Sequence, residues 1–386
     1  MKKRIAVLGA TGSVGRNTLD VLRNDSDRFE PVLLTAHSNY RALTELKKEF
    51  PSAIIALTDI NQNPEPTLVQ TEFLGKDGLL KAIAAAAPDI TVNGIAGAAG
   101  LEPSAAAIGA GSDLALANKE TIVMAGRLVY AMAAEKKVRI IPMDSEHSAI
   151  FTLLEAHGKD NVSEIILTAS GGPFRNHTMA ELALVRPEQA LKHPNWKMGQ
   201  KISVDSATLA NKGLEVIEAA GLFGFAPEKI KVVIHPQSIV HSMIRLADGA
   251  IYAQLSKPDM RLPIHDALCW PETVPSPFGT LDFDSLCLNF EKCDTERFPM
   301  LALAYEALKG GPLLPVAYNA ANEIAVGAFL GKKIGFLEIP RVVEYVLRKG
   351  IPGRGEDDTI ETVLEKDSEA RDLALEYING RRCNGS

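Results

Sequence analysis

The chain has 386 residues, 46% apolar and 23% charged, a length that suits roughly two or three ordinary globular domains. A net charge of −7 with 41 scattered Lys and Arg argues against a nucleic-acid binder, which would carry a basic stripe, but leaves room for a small anionic ligand. No apolar run approaches membrane-spanning length, and too few apolar residues follow Met1-Lys2-Lys3-Arg4 for a signal peptide, so no membrane partner is expected.

Lys3–Leu8 reads as a short strand running into Gly9-Ala10-Thr11-Gly12-Ser13-Val14-Gly15. An amphipathic helix follows, with Val14, Leu19, Val21 and Leu22 apolar. Strand, glycine turn and helix in this order form the setting of a dinucleotide site, where backbone N–H groups meet a pyrophosphate at a helix N-terminus. The GxxGxxG spacing also suits a plain tight turn. The second strand, Pro31–Ala36, ends in His37-Ser38-Asn39-Tyr40-Arg41 without the acidic residue that an NAD ribose calls for. Hydroxyl, amide and Arg41 suit a 2′-phosphate, hence NADP(H); a polar loop without preference is the alternative.

Alternation continues: helix Tyr40–Phe50, strand Ala53–Leu57, helix Gly78–Ala87, strand Asp89–Asn93, a Gly-Ala loop, helix Pro103–Gly109, strand Asp113–Ala117 and helix Thr121–Lys136. Such a pattern implies a doubly wound parallel sheet, with ligands at the carboxyl ends of its strands. Gly9–Gly15, Ser38, Asn93–Gly97, Asn118-Lys119-Glu120 and Asp144-Ser145-Glu146 all fall at such ends. In extended backbone Asp144 and Glu146 share a face, and two adjacent carboxylates call for a proton or a hard cation such as Mg²⁺ or Mn²⁺. A helix cap explains the same residues equally well.

Helix Ala149–His157 and strand Glu164–Thr168 come next, then Ala169-Ser170-Gly171-Gly172 and His193-Pro194-Asn195-Trp196-Lys197-Met198-Gly199. A Trp in a polar loop flanked by Pro and Gly suits a closing lid, or a plug at a core edge. Over Ser203–Glu218, with Asp205 or Ser206 as N-cap, about 100° per residue puts Thr208, Asn211, Lys212, Glu215 and Glu218 on one arc. That face is solvated, or it binds a phosphate monoester through Ser206, Asn211 and Lys212, with Glu215 as a further carboxylate ligand. Val232–Leu246 and Ile251–Leu255 read as strands, His235 and His241 as sheet histidines or active-site donors. The apolar face of Val240, Ile244 and Leu246 suggests a homodimer. The four cysteines (Cys269, Cys287, Cys293, Cys383) show no CxxC pair and no zinc spacing, as expected of reduced structural thiols in a cytosol. From about Phe298 onward the pattern is helical, without an evident site.

Together these motifs resemble the 1-deoxy-D-xylulose 5-phosphate reductoisomerase family of the non-mevalonate (MEP) isoprenoid pathway. The matching pieces are GATGSVG at 9–15, ANKE at 117–120, MDSEHSAIF at 143–151, TASGGPFR at 168–175, HPNWKMG at 193–199, DSATLANKGLE at 205–215, HPQSIVHSM at 235–243 and KPDMRLPI at 257–264. The resemblance implies an α/β chain: a Rossmann-like NADPH-binding domain at 1–143, and a central α+β catalytic and dimerisation domain at 144–280 with a lid at about 170–200. A linker at 281–297 and a C-terminal helical domain at 298–386 would follow. It implies that Asp144, Glu146 and Glu215 hold one divalent ion, and that Ser170, Ser206, Asn211 and Lys212 hold the substrate phosphate. Lys119, Ser145 and His193 would touch the substrate, with Trp196 and Met198 in the lid. NADPH would meet Gly9, Thr11, Gly12, Ser13, Val14, Ser38, Asn39, Asn118, Glu120 and Gly199. Some members carry a glycine followed by lysine near Ala36-His37-Ser38-Asn39, so the 2′-phosphate contacts are the point of departure. The implied reaction rearranges 1-deoxy-D-xylulose 5-phosphate and reduces the resulting aldehyde to 2-C-methyl-D-erythritol 4-phosphate. The apparent lack of a transit segment favours a bacterial cytoplasm over a plastid. Three competing readings carry less: a semialdehyde dehydrogenase needs a nucleophilic Cys, a non-catalytic NADPH sensor has no use for three carboxylates, and a redox-free isomerase leaves the glycine turn unexplained.

Overall fold

The computed structural model describes residues 1–59, 61, 73–192, 195, 196, 198–350 and 359–383, the last three of these as backbone only. Contacts divide the chain into two compact units. Met1–Thr121, Val129–Ser148 and Asp259–Thr280 make the first, and Ile122–Leu128, Ala149–Pro258 and Leu281–Ser386 the second.

In the first unit β1 (Lys3–Leu8), β2 (Phe29–Ala36), β3 (Ile54–Leu57), β4 (Ile90–Asn93), β5 (Asp113–Leu116) and β6 (Ile140–Pro142) alternate with α1 (Ser13–Asn24), α2 (Tyr40–Glu49), α3 (Gly75–Ala86), α4 (Leu101–Gly109) and α5 (Lys119–Lys136). All five strand pairings are parallel, in the order β3-β2-β1-β4-β5-β6. The strands are short apolar runs buried on both faces, as a sheet covered by helices on two sides requires. Strand order reverses between β1 and β4, and a ligand crevice opens at such a switch point. The Rossmann-like expectation holds.

A further helix, α6 (Ser145–His157), starts four residues earlier than expected. The second unit holds β7 (Val162–Ala169), the short α7 (Met179–Leu182) and α8 (Pro187–Ala190), α9 (Gln200–Thr208), α10 (Ala210–Phe223), β8 (Ile230–Ile234), β9 (Val240–Leu246) and β10 (Ile251–Leu255). The single strand expected over 232–246 is therefore two, and they are not neighbours: the sheet order is β10-β9-β7-β8-β11, with β11 at Glu291–Lys292. His235 forces the break. Its buried ring accepts the N–H groups of Ile239 and Val240 on Nε2 (3.2 Å each), and Nδ1 donates to the Asn289 carbonyl (2.8 Å).

Before β11 the chain returns to the first unit as α11 (Arg261–Cys269), which packs on α1. Buried His265 faces Asp266 (3.7 Å), the Cys269 sulfur (3.7 Å) and Asp25 at the end of α1 (3.1 Å). These partners, Asp266 first, push the imidazole up to about 10. Because the folded value exceeds the unfolded one of about 6.5, this stabilisation is complete below about pH 6.5 and is lost as pH rises toward 10. The denaturation midpoint should fall across that window in the native chain and much less in His265→Gln. Equal slopes by circular dichroism would refute the linkage.

The last helices, α12 (Met300–Lys309), α13 (Leu314–Leu330), α14 (Glu338–Lys349) and α15 (Ile360–Cys383), share one core with β7, α9 and α10. Tyr318, Ala304 and Phe329 are interior residues of the same cluster as Leu167 and Leu214. Phe174, Leu182, Val185 and Ala190 are buried in that core as well. Val240 and Ile244, expected to face a second copy, are buried, with Leu246 packed against the cluster; the exposed large apolar side chains of this sheet are Ile251 and Tyr252. Among the described residues, no helix is long and apolar enough to cross a membrane.

Candidate active site

The glycine turn is shaped by close packing. Gly9 N–H donates to Thr35 Oγ1 (3.0 Å), Ala10 N–H to the Thr35 carbonyl (2.7 Å) and Gly12 N–H to the Gly9 carbonyl (2.9 Å). A Cβ on Gly15 would lie 2.3 Å from the Gly9 oxygen and 2.5 Å from Ala10 Cα, so only glycine lets α1 start there. No side chain caps α1 and no acidic residue occupies its first turn. With Thr11, Ser13 and Val14 half-buried and Gly12 exposed, this backbone cradle fits a pyrophosphate. At the end of β2, Ser38, Asn39 and Arg41 are exposed, and the first turn of α2 carries no carboxylate. Asn39 accepts from Ala42 N–H (3.2 Å) as the helix cap, which leaves its amide nitrogen for a ligand.

Asn118 is 2% exposed and fully engaged. Its amide donates to the Ile95 and Gly97 carbonyls (2.7 and 2.9 Å) and to Glu120 (3.1 Å), while Oδ1 accepts from Thr121 N–H (3.0 Å). Its side chain thus fixes the Gly94–Gly100 loop and α5 to each other, so any contact it makes to a cofactor falls to its backbone.

Next to it, buried Lys119 donates to Asp144 Oδ2 at 2.8 Å. The expected pleated alternation of Asp144 and Glu146 is corrected here, because β6 ends at Pro142 and a helix begins at Ser145. Asp144 caps that helix, accepting Glu146 N–H on Oδ1 (3.2 Å) and Ser148 N–H on its carbonyl (2.8 Å). Cap and charge cluster are one feature: Ser145 donates to the Glu146 carboxylate, and buried His147 holds Nδ1 3.3 Å from Asp144.

In the second unit the expected single helix over 203–218 is two helices, α9 and α10, broken at Leu209 with φ of +63°. Asp205 and Ser206 lie inside α9 rather than at an N-cap. The break falls between Ser206, in the last turn of α9, and Asn211 and Lys212, in the first turn of α10. The polar arc is not solvated: Lys212, Glu215 and Glu218 are 3%, 0% and 1% exposed. Charges so deeply buried need partners. Glu215 accepts from Asn211 (2.5 Å) and from the Lys212 ammonium. Ser170, just past β7, accepts from Gly172 N–H (3.2 Å). Trp196 is half-buried, its ring centroid 6.4 Å from that of His241, and Asn195 ties it down by donating to the Pro236 carbonyl (2.7 Å) and Ser238 (2.9 Å). His241 is buried against Ser256 (2.9 Å). Met198 is half-buried, and Gly199 forms the N-cap of α9. His193 lies outside the described residues.

Cys269, Cys287 and Cys293 are free thiols. Burial pushes Cys293 up to about 11, which is wrong for a nucleophile at neutral pH. Two features escaped sequence reading: the left-handed Leu209, and the buried bond from Asn322 in α13 to Asp205 (2.8 Å). Neither carries a local signal, since Leu gives no hint of positive φ and Asn322 lies in an apolar helix.

A doubly wound sheet with a glycine turn at its switch point is the fold of a dinucleotide-dependent α/β enzyme, and each unit adds a buried lysine paired with a carboxylate, Lys119 with Asp144 in the first and Lys212 with Glu215 in the second. Family models for 1-deoxy-D-xylulose 5-phosphate reductoisomerase match residues 5–126, and models for its C-terminal domain match 140–223 and 255–373. The chain belongs to the 1-deoxy-D-xylulose 5-phosphate reductoisomerase family. It is 47% identical to the reductoisomerase of Chlorobium phaeobacteroides (strain BS1) over 383 residues, 98% of this chain and 100% of the relative. The solved Zymomonas mobilis reductoisomerase in complex with NADPH is 42% identical with a TM-score of 0.88, covering 98% of both chains. A DOX-P reductoisomerase in complex with NADPH, fosmidomycin and magnesium is 38% identical with a TM-score of 0.89, again covering 98% of both.

Proposed function

We infer that this chain is an NADPH- and divalent-metal-dependent oxidoreductase and isomerase that converts 1-deoxy-D-xylulose 5-phosphate to 2-C-methyl-D-erythritol 4-phosphate, a step of isoprenoid precursor synthesis. The observation that carries it is full-length similarity to a relative solved with NADPH, fosmidomycin and magnesium. Asp144, Glu146 and Glu215 are the proposed ligands of one Mg²⁺ or Mn²⁺. Three carboxylates suit such a hard cation. When bound, the ion supplies Lewis acidity at the ketone and its neighbouring hydroxyl, and NADPH supplies the hydride.

The remaining work falls to side chains. Lys119 balances the charge of Asp144 at 2.8 Å and stands ready to donate to a sugar oxygen. Ser145 and His193 are proposed to hold the same sugar. Ser170, Ser206, Asn211 and Lys212 offer hydroxyls, an amide and an ammonium to the phosphate at the start of α10. Binding the phosphate away from the reacting carbons contributes positioning energy. Trp196 and Met198 are proposed to close over the sugar and exclude water. Gly9, Thr11, Gly12, Ser13 and Val14 would take the pyrophosphate of NADPH, Ser38 and Asn39 its 2′-phosphate, and Asn118, Glu120 and Gly199 the remainder. A homodimer in a bacterial cytoplasm completes the proposal, with exposed Ile251 and Tyr252 available on β10. The test is to incubate the protein with the sugar phosphate, NADPH and Mg²⁺ and identify the product by NMR. One NADPH oxidised per methylerythritol phosphate formed is expected; rearranged aldehyde without oxidation would overturn the redox half.

A further inference from the structure

Helix α13 grips both sides of the Leu209 break. On the α9 side, Asn322 donates to Asp205 Oδ1 at 2.8 Å, and both side chains are buried. Lys201 holds the other oxygen of Asp205 at 2.9 Å. On the α10 side, one turn earlier along α13, Tyr318 packs under Gly213: a Cβ there would stand 2.5 Å from the Tyr318 hydroxyl and 2.9 Å from Ala304 Cβ. That hydroxyl donates to the Met300 carbonyl of α12 at 3.1 Å, so its position is fixed as well.

Leu209 pays a steric penalty for its left-handed backbone, and such a conformation persists only where its surroundings over-determine it. Within the break, the Thr208 hydroxyl donates back toward the Val204 and Asp205 carbonyls (3.1 and 3.2 Å) and accepts from Ala210 N–H (3.3 Å). The angle between α9 and α10 sets the spacing of Ser206 from Asn211 and Lys212. We propose that Asn322, acting through Asp205, is a positioning residue for substrate phosphate, holding α9 at the angle that lets Ser206 and Lys212 grip one phosphate. It touches no substrate. The proposal rests on the assignment of Ser206, Asn211 and Lys212 to the phosphate.

The test compares kcat/KM for 1-deoxy-D-xylulose 5-phosphate with that for phosphate-free 1-deoxy-D-xylulose. Asn322→Leu should lose about 10- to 100-fold on the phosphorylated substrate, as sub-ångström to ångström misplacement does, with less than about twofold change on the phosphate-free sugar and in NADPH affinity. Lys201→Met removes the outer grip on Asp205 from a partly exposed position, and it should show the same selective pattern at a smaller size. It decides the matter if Asn322→Leu does not fold. The exchange Asp205→Asn with Asn322→Asp restores a donor and an acceptor across the same gap, and should recover part of the loss. Equal losses on both sugars in the variants would make the contact merely structural and overturn the proposal. Lys212→Met is the separate arm: if it too fails to discriminate the two sugars, the phosphate assignment itself is wrong. If it discriminates and the Asn322 and Lys201 variants do not, only the positioning role fails.

Discussion

Glu215→Gln should cut turnover steeply while NADPH still binds. Glu215 is fully buried and accepts from Asn211 and from the Lys212 ammonium. Gln keeps the shape but loses the charge that a hard cation requires. It also leaves the Lys212 cation without its balancing carboxylate. Turnover with the sugar phosphate should fall by about a thousandfold, comparable to removing a key electrostatic group from an active site. Asp144→Asn should do the same from the other part of the proposed ligand set, with Lys119 then losing its 2.8 Å partner. NADPH fluorescence titration should give near-native affinity for both variants, because the glycine turn is untouched. Circular dichroism confirms the fold. Normal turnover in either variant would sink the metal assignment.

Gly15→Ala has the opposite signature. A methyl group 2.3 Å from the Gly9 oxygen and 2.5 Å from Ala10 Cα meets backbone on both sides, which cannot swing away as a side chain would. Either the turn opens or α1 shifts outward, and the destabilisation should reach the upper end of overpacking costs, about 3 kcal/mol. NADPH affinity should fall at least about 100-fold, since a shift of an ångström at a positioning surface costs that much. Mn²⁺ binding at the carboxylates, followed by paramagnetic relaxation, should be unchanged. Unaltered NADPH affinity in Gly15→Ala would mean that the turn is not the cofactor cradle.

The first unit was legible because its signals are local. Each parallel strand is a short apolar run, each glycine or polar turn marks a strand end, and alternation with helices leaves few topologies. The Asp144–His147 stretch was legible in composition but not in geometry. Extended alternation and helix capping both fit its residue types, and only the end of β6 at Pro142 decides for the cap. The Ser203–Glu218 stretch misled because helical periodicity separates polar from apolar residues without revealing which polar ones are buried in pairs. The arc of Lys212 and Glu215 suits a solvated face or a binding face equally well from sequence, and both residues are interior. The break at Leu209, the reversal at His235 and the merging of the last helices into the middle core all depend on partners distant in sequence: Asn322 for Asp205, Asn289 for His235 and Tyr318 for Gly213. Tertiary contacts of that kind override local preference.

The most direct test of the account is NADPH oxidation by the chelator-treated protein in the presence of 1-deoxy-D-xylulose 5-phosphate, before and after Mg²⁺ or Mn²⁺ is restored. The account predicts no oxidation in the metal-free protein and rapid, substrate-dependent oxidation once either ion is added. Full-rate oxidation with chelator present would contradict the role given to Asp144, Glu146 and Glu215. No oxidation with any ion, from protein that still binds NADPH, would contradict the reaction itself.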